Sequence, residues 1–497
     1  MKIGLNILLV ILSLSLNSQT TKKIEILNAD STLANQKKHP DYWRLIGNVS
    51  FKHNNAIMKC DSAYHFSNKD KIRAFGNIKI NQGDSITITG NNLTYYGQEK
   101  KADIKGNVVL IDKYMTLRTK QILYNLSSKT AIYPYDGEII DNEKTINSKQ
   151  GEYNTDINNF IFKDSVTVVG KNYNILTNNM HYNSNSEITY FFGPSYLLYQ
   201  NKTIYCENGW YNTKTSISQF QKNSYITSEK YLLKGDSLYY DKNLGYGKAV
   251  NNVELVDTID NIRVFGGFGE YFEEKEIIEI TRNPILQILT EEDTLFMHAK
   301  KFLSQHKTKN NKIIAYNKVK FFKKELQGKC DSLSYSLADS LVEMFNHPIL
   351  WSNKLQITSD SIAFSLKNGE IKNLFLKSNP MVISAEDSLD YNQIKGKEMT
   401  AYFTKNKIKR MNIEGNGQSI FVVVNEEKKD KIGLKYTESS NLTLYFKNNK
   451  LDLVNYKSKP KSITTPYKKI TEKERYLKGF KFRGDEQPKR KEDIFIE

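Results

Sequence analysis

The chain has 497 residues, with 72 Lys+Arg against 55 Asp+Glu and a formal charge of +17. A hydrophobic fraction of 39% is too low for a multi-span membrane protein, and 12% aromatics is too rich for a disordered one. With 26 Gly, 3 Cys, 9 Pro and 31 Tyr, collagen-like chains and disulfide scaffolds are also excluded, leaving a large, folded, strand-rich, basic protein.

The N-terminus reads as an export signal. Met1-Lys2 precedes an apolar run from Ile3 to Leu16, then polar Asn17-Ser18-Gln19-Thr20. That run has the length of a signal-peptide core and falls short of the roughly 20 residues of a spanning helix. Residues 1–19 are therefore expected to be a signal peptide, and the mature protein an exported, periplasmic one. Three Cys is an odd number, so at least one thiol is expected unpaired. Cys60-Asp61-Ser62 and Cys330-Asp331-Ser332 place Cys at one repeated slot as a small buried residue, and no CxxC supports a metal or redox site.

A repeat of about thirty residues organises the rest of the chain. Tyr64, Tyr95, Tyr124, Tyr153, Tyr182, Tyr211, Tyr240 and Tyr271 stand at steps of 31, 29, 29, 29, 29, 29 and 31. Phe302, Tyr335, Phe364 and Tyr391 continue the series. A second phrase, some 11 to 13 residues after each Tyr, reads Gly47-Asn48-Val49, Gly76-Asn77-Ile78, Gly106-Asn107-Val108 and Gly137-Glu138-Ile139. It degenerates to Asp164-Ser165-Val166, Gly193-Pro194-Ser195 and Asn252-Val253. Between these phrases apolar residues alternate with polar ones, as in Ile72-Ala74, Ile78-Ile80 and Ile86-Ile88, which is the period of a strand with one apolar face. Each unit is expected to give two bent strands whose apolar face only its neighbours can bury. Thirteen such units would make a spine of order 120 Å. The array is expected over residues 24–455. From Lys457 onward the chain is basic and broken by Pro460, Pro466 and Pro488, so residues 456–497 are expected to be a poorly ordered linker or docking tail.

Catalytic chemistry finds no foothold. The seven His are scattered, and no HExxH, GxSxG, Walker-type loop or helix-opening GxGxxG is present. His53 and His65 could approach one another, Gly266-Gly267-Phe268-Gly269 reads as strand glycines, and Asp61, Asp236, Asp331, Asp360 and Asp387 read as turn hydrogen-bonders rather than paired carboxylates. No enzyme, no metal and no cofactor are expected. The basic charge raises nucleic acid as a partner, but export and the absence of a recognition motif argue against it.

The phrases Gly76-Asn77-Ile78 and Gly106-Asn107-Val108 and the Asp-Ser-Leu/Ala-x-Tyr slots resemble the OstA/LptA family of lipopolysaccharide-transport proteins, in a long, multi-repeat form without a C-terminal barrel. The phrases Ile394–Phe403, Ile413–Ser419 and Glu438–Leu442 resemble the larger members. The resemblance implies an all-β fold: an elongated antiparallel β-jellyroll, a V-shaped solenoid with an apolar inner face. It implies lipopolysaccharide as cargo, and pairing of end strands with related jellyroll proteins of the inner-membrane and outer-membrane complexes. At about 0.8 kcal/mol per CH₂, exposing one twelve-methylene chain costs roughly 10 kcal/mol, which an apolar groove removes. Ile78, Ile80, Ile86, Ile88, Val108, Leu110, Leu117, Val166 and Val168 are the expected groove lining. The tyrosines are expected to pack the repeat. A structural spacer with a filled core and a polysaccharide-active solenoid enzyme are the other readings.

Overall fold

Alternating apolar residues produce strands throughout. The computed structural model describes residues 23–496 except 36, 84, 142, 200, 230, 260, 291–292, 308–309, 353, 368–369, 406, 426, 428–429 and 448–449. The expected signal peptide lies outside the described residues. Among these there are 38 strands, five short 3₁₀ segments and no α-helix. The ladders are antiparallel and consecutive strands pair, as in Trp43–His53 with Ala56–Phe66 and Lys71–Gln82 with Ile86–Tyr96. The all-β jellyroll reading therefore holds. The chain divides into two compact units at Phe192/Gly193.

The Gly-Asn phrases are corners. The ladder slips at each one: between Ile46 and Val49, Phe75 and Ile78, and Lys105 and Val108. There two successive residues take positive φ, Gly47 at 75° and Asn48 at 44°, Gly76 at 74° and Asn77 at 44°, Gly106 at 79° and Asn107 at 49°. A double left-handed bulge bends a strand sharply, and Gly and Asn tolerate it best. Each long strand is thus split into a first leg carrying the tyrosines and a second leg. The same paired conformation recurs where the sequence gives no Gly-Asn: Asp164-Ser165, Lys222-Asn223, Asn251-Asn252, Arg282-Asn283, Asn317-Lys318, Asn346-His347, Ser378-Asn379 and Ser458-Lys459.

The recurrent acids serve these corners. Asn77 Nδ2 donates to Asp61 at 2.9 Å, Asn252 to Asp236 at 3.0 Å, and Asn379 to Asp360 at 3.0 Å. Asn223 donates to Glu207 at 2.9 Å, and Asn48 to Asp30 at 2.8 Å. Asp331 instead accepts from Ser332, and Asp387 holds a tight turn through the Leu389 and Asp390 amides. The expectation of hydrogen bonding over paired carboxylates is met, though most of it spans neighbouring strands. Cys60, Cys206 and Cys330 sit beside these corners, buried and unbridged, and burial pushes each thiol up to about 12.

The C-terminal segment corrects the sequence reading. The array runs past 455: Lys461–Pro466 pairs with Gly433–Glu438 after the corner at Ser458-Lys459. The remaining residues form a strap that turns back over the outer face of the second leg. Two glutamines, Gln393 and Gln356, clip its backbone, and a third, Gln327, meets it side chain to side chain. Gln393 donates to the Arg475 carbonyl and accepts from the Leu477 amide, both at 2.8 Å. Gln356 likewise takes Lys481 at 2.8 Å and Arg483 at 2.6 Å, and Gln487 donates to Gln327 at 2.8 Å. Leu477 packs with Met381, Ile383, Ile420 and Leu434, joined by Ile470 and Phe480. Asp390, with no exposed side-chain surface, accepts from Tyr467 and Lys431, each at 2.6 Å, and from Arg475. The basic, proline-broken composition hid these widely spaced apolar anchors.

The corner geometry carries a direct test. A Cβ on Gly76 would lie 2.2 Å from Asp61 Oδ2, at a φ that L-residues avoid. Gly76→Ala is expected to cost about 1–3 kcal/mol, read as a lower urea midpoint. Gly235→Ala, at an ordinary φ with its nearest neighbour 3.2 Å away, is expected to cost less.

Candidate apolar groove and its mouth

All nine expected lining residues turn inward, and all lie on second legs. Ile80, Ile88, Leu110, Leu117 and Val168 share one register line, completed by Ile139, Ile146 and Ile175. Ile78, Val108 and Val166 stand two residues nearer the corner, and Ile86 two residues beyond Ile88 toward the open rim. Exposures run from 0% for Ile88, Val108, Leu110 and Leu117 to 7% for Ile86. The facing wall was missed by sequence reasoning: Ile72, Ala74, Leu93, Ala102, Ile104, Ile122 and Phe162 on first legs are buried to the same degree. In the second unit, first-leg Phe302, Val342 and Leu374 and second-leg Phe321, Leu350 and Val382 belong to one cluster, so the two legs pack on each other. The inner space is filled by side chains in this state, at about 1.5–3 kcal/mol per large apolar residue buried.

The tyrosines stand at the open rim of the first leg. One register line runs His65, Ile72, Tyr95, Ala102, Tyr124, Ala131, Tyr153, Phe160, Tyr182. Large rings thus alternate mostly with smaller residues. Tyr64 is a correction: it pairs with Arg73, one place off the line, and His65 occupies the slot. His53 and His65 pair with Ala56 and Trp43 at the two ends of their bent ladder, and the His65 ring lies 6.1 Å from that of Phe51 on the second leg.

These rings reach across the mouth. Tyr95 Oη lies 2.5 Å from Nδ1 of His53, at the end of a second leg. Tyr124 donates to Gln82 and Tyr153 to Asp112, while Lys144 Nζ donates to Tyr182 Oη at 3.2 Å. The partners lie 42, 42, 41 and 38 residues earlier, so each repeat fastens its rim to the strand one and a half repeats before. Each such bond is worth on the order of 1 kcal/mol net. The row is a set of clasps, individually weak.

Within the second unit a line of the same kind runs Tyr211, Ser218, Tyr240, Gly247, Tyr271, Ile278, Ser304, Ile313, Tyr335, Val342, Phe364. Two sequence assignments shift. Phe302 falls two residues short of the slot, which Ser304 fills, and Tyr391 pairs with Ala385 on a second leg. Tyr240 donates to Glu273 at 2.7 Å, along its own rim instead of across the mouth. Among the described residues no group of three or more His, Cys, Asp or Glu is placed to hold a metal ion.

Ionisation of the buried rings gives a test. Burial raises Tyr124 and Tyr133 to about 12, and raises Tyr95 and Tyr153 further. A phenol whose folded value exceeds its unfolded value of about 10 stabilises fully below pH 10, and that contribution is lost between pH 10 and 12. The urea midpoint is expected to fall steeply over that window, by on the order of 2 kcal/mol per buried ring. Tyr124→Phe should make the fall shallower while lowering stability at pH 8 by about 1 kcal/mol.

The profile of the OstA-like protein family matches residues 21–178 and again residues 174–236. No curated protein matches the chain. The corner and slot geometry of the matched residues continues through the second unit, as at Arg282-Asn283 and Ser378-Asn379. Over residues 21–236 the chain is similar to the OstA-like family.

Proposed function

We propose that this protein is an exported, periplasmic carrier of lipopolysaccharide, shielding acyl chains between inner and outer membrane in support of outer-membrane assembly. Similarity to the OstA-like family over residues 21–236 supports a lipid or lipopolysaccharide transport function in general. The observation that carries the finer reading is the pair of apolar inner walls, closed along the rim by single hydrogen bonds. Parting the legs would expose those walls to water at about 25 cal/mol per Å². An acyl chain entering between them offsets that cost, because apolar surface is then buried against apolar surface. The clasps add only about 1 kcal/mol each to the barrier. Nothing in this mechanism breaks a covalent bond, so no enzymatic step is invoked.

Headgroup phosphates would stay outside, near rim cations such as Lys113 and Lys144, the latter 4.3 Å from the Tyr182 ring. Partners of the same fold would pair with the end strands. Glu25–Asn28 and Ser31–Leu33 pair only with Trp43–His53 among the described residues, and Leu27 and Leu33 are about half exposed. At the other end Lys450–Lys457 leaves Leu451 and Leu453 exposed. Such open edges accept a further strand.

One observation favours a second reading. The inner residues are already packed, as a spacer or assembly scaffold with a filled core requires. Lipid extraction and mass spectrometry of protein purified from a lipopolysaccharide-producing cell separates the two. The carrier reading expects co-purifying lipopolysaccharide and photo-crosslinks to it from Ile80, Ile88 and Leu110, with none from outward Lys79. A lipid-free protein with no inward crosslinks would leave the scaffold.

A further inference from the structure

The glutamines that hold the strap belong to a longer line. Gln393, Gln356, Gln327 and Gln287 occupy one register row of the second leg, with Ile383, Trp351 and Phe296 among them. The row faces outward, because the adjoining Val382, Leu350 and Leu286 belong to the inner cluster. Its first three glutamines stand two strands apart, about 9.6 Å. Gln393 and Gln356 each take a strap carbonyl and the amide two residues on, Arg475 with Leu477 and Lys481 with Arg483. Such amides read a main chain, and sockets beside them read side chains. Arg475 meets the Asp390 carboxylate, Leu477 enters the pocket of Met381, Ile383, Ile420 and Leu434, and Phe480 packs on Tyr391 at 5.1 Å.

The strap leaves two groups of this row unmatched. Trp351 is only 2% exposed, yet its indole N–H has no hydrogen-bond partner among the described residues. It sits between Gln356 and Gln327, where the strap passes from Arg483 to Gln487. A buried donor without an acceptor costs free energy that a better-fitting chain would recover. The second group lies past the strap's end. Among the described residues its last hydrogen bond and ring contacts are with Lys320, His298 and Phe296. Gln287 stands on the next strand, opposite Phe296, and its amide bonds to no other described residue.

We propose that this outer row is a peptide-docking face, held in cis by the strap and taken in exchange by an extended segment of a partner protein. That segment carries Arg-x-Leu with an aromatic residue three positions after the leucine, as Arg475, Leu477 and Phe480 do. The occupant is a peptide because carbonyl and amide pairs two residues apart recur along a polypeptide, and neither an acyl chain nor a sugar offers them. It is a partner's segment because the row exceeds the strap: an acceptor over Trp351 and a main chain reaching Gln287 make bonds that the strap does not. The exchange uncovers nothing. An incoming arginine replaces Arg475 at the buried Asp390, and an incoming leucine refills the apolar pocket, so the face stays closed throughout. Tethering gives the strap the advantage of proximity, so binding in trans needs a loosened strap or a ligand that fills the unmatched groups.

The test uses the full-length protein and two fluorescein-labelled peptides, one with the sequence of residues 471–496 and one extending it by about six Ser and Thr residues. Binding is read by fluorescence anisotropy. Arg475→Ala with Leu477→Ala removes the strap's anchors and leaves Asp390 bonded to Lys431 and Tyr467. The first peptide is expected to bind this loosened protein about tenfold tighter than the unmodified one. A peptide lacking the same Arg and Leu should not bind, and Gln393→Leu in the loosened protein should weaken binding about fivefold. The longer peptide should bind about threefold tighter than the first, and Gln287→Leu should remove that gain. If the double variant loses its cooperative thermal transition, Leu477→Ser alone takes its place. Equal binding to the loosened and unmodified proteins, or binding indifferent to Gln393→Leu, would overturn the docking face. A longer peptide that gains nothing would overturn the partner's hold on Gln287. Dimers of the loosened protein in sedimentation, in place of peptide binding, would overturn a foreign partner in favour of a second copy's strap.

Discussion

A sheet bent back on itself leaves two apolar faces that must be buried against each other or against something else. That constraint governs the rest of this molecule. The bend is made by two successive left-handed residues in each repeat, stabilised by an acid from the neighbouring strand, as Asp61 holds Asn77. Once the bend is fixed, alternation sends Ile80, Ile88 and Leu110 to meet Ile72, Leu93 and Ile104, and water is excluded from both walls. No repeat achieves this alone, because a two-stranded unit has too little surface to cover its own face.

The same constraint explains how the packed state can be reconciled with carriage. Between the legs the interaction is non-directional apolar burial, which a hydrocarbon chain can replace. At the rim it is directional but sparse, one hydroxyl per repeat. The strap treats the outer face differently. There Gln356 and Gln393 hold a backbone through paired hydrogen bonds, Gln327 accepts from the Gln487 side chain, and the buried Asp390 is satisfied by Lys431, Tyr467 and Arg475. Removing one partner of a buried, hydrogen-bonded charge costs several kcal/mol, so this face is built to stay closed. Strength is thus distributed unevenly, firm on the outer face of the last repeats and weak along the mouth.

Much of the fold was legible because each repeat restates it. The thirty-residue spacing, the alternation and the Gly-Asn phrases gave strands, bends and an array. What escaped has physical causes. Tyr64 and Phe302 have the right chemistry at nearly the right spacing, but strand register has a period of two, so an offset of one or two residues changes face or depth. The first-leg wall was missed because Ala74 and Ala102 look unremarkable without knowledge of what faces them. The later corners, Arg282-Asn283 or Asn317-Lys318, lack glycine and carry no signal beyond a polar dipeptide. The strap was misread because its anchors Ile470, Leu477, Phe480 and Ile494 are too far apart to form a periodic pattern, and the glutamines that receive it lie more than eighty residues away.

Carriage requires that the two legs part to admit a chain. Spin labels at Lys113 and Asp156, exposed residues beside the Asp112–Tyr153 clasp on opposite rims, report that distance directly, and the three native thiols are buried. The distance distribution should be narrow in the lipid-free protein, then shift to longer values when lipopolysaccharide is bound. An unchanged distribution at saturating, independently measured lipid occupancy would contradict the parting of the legs.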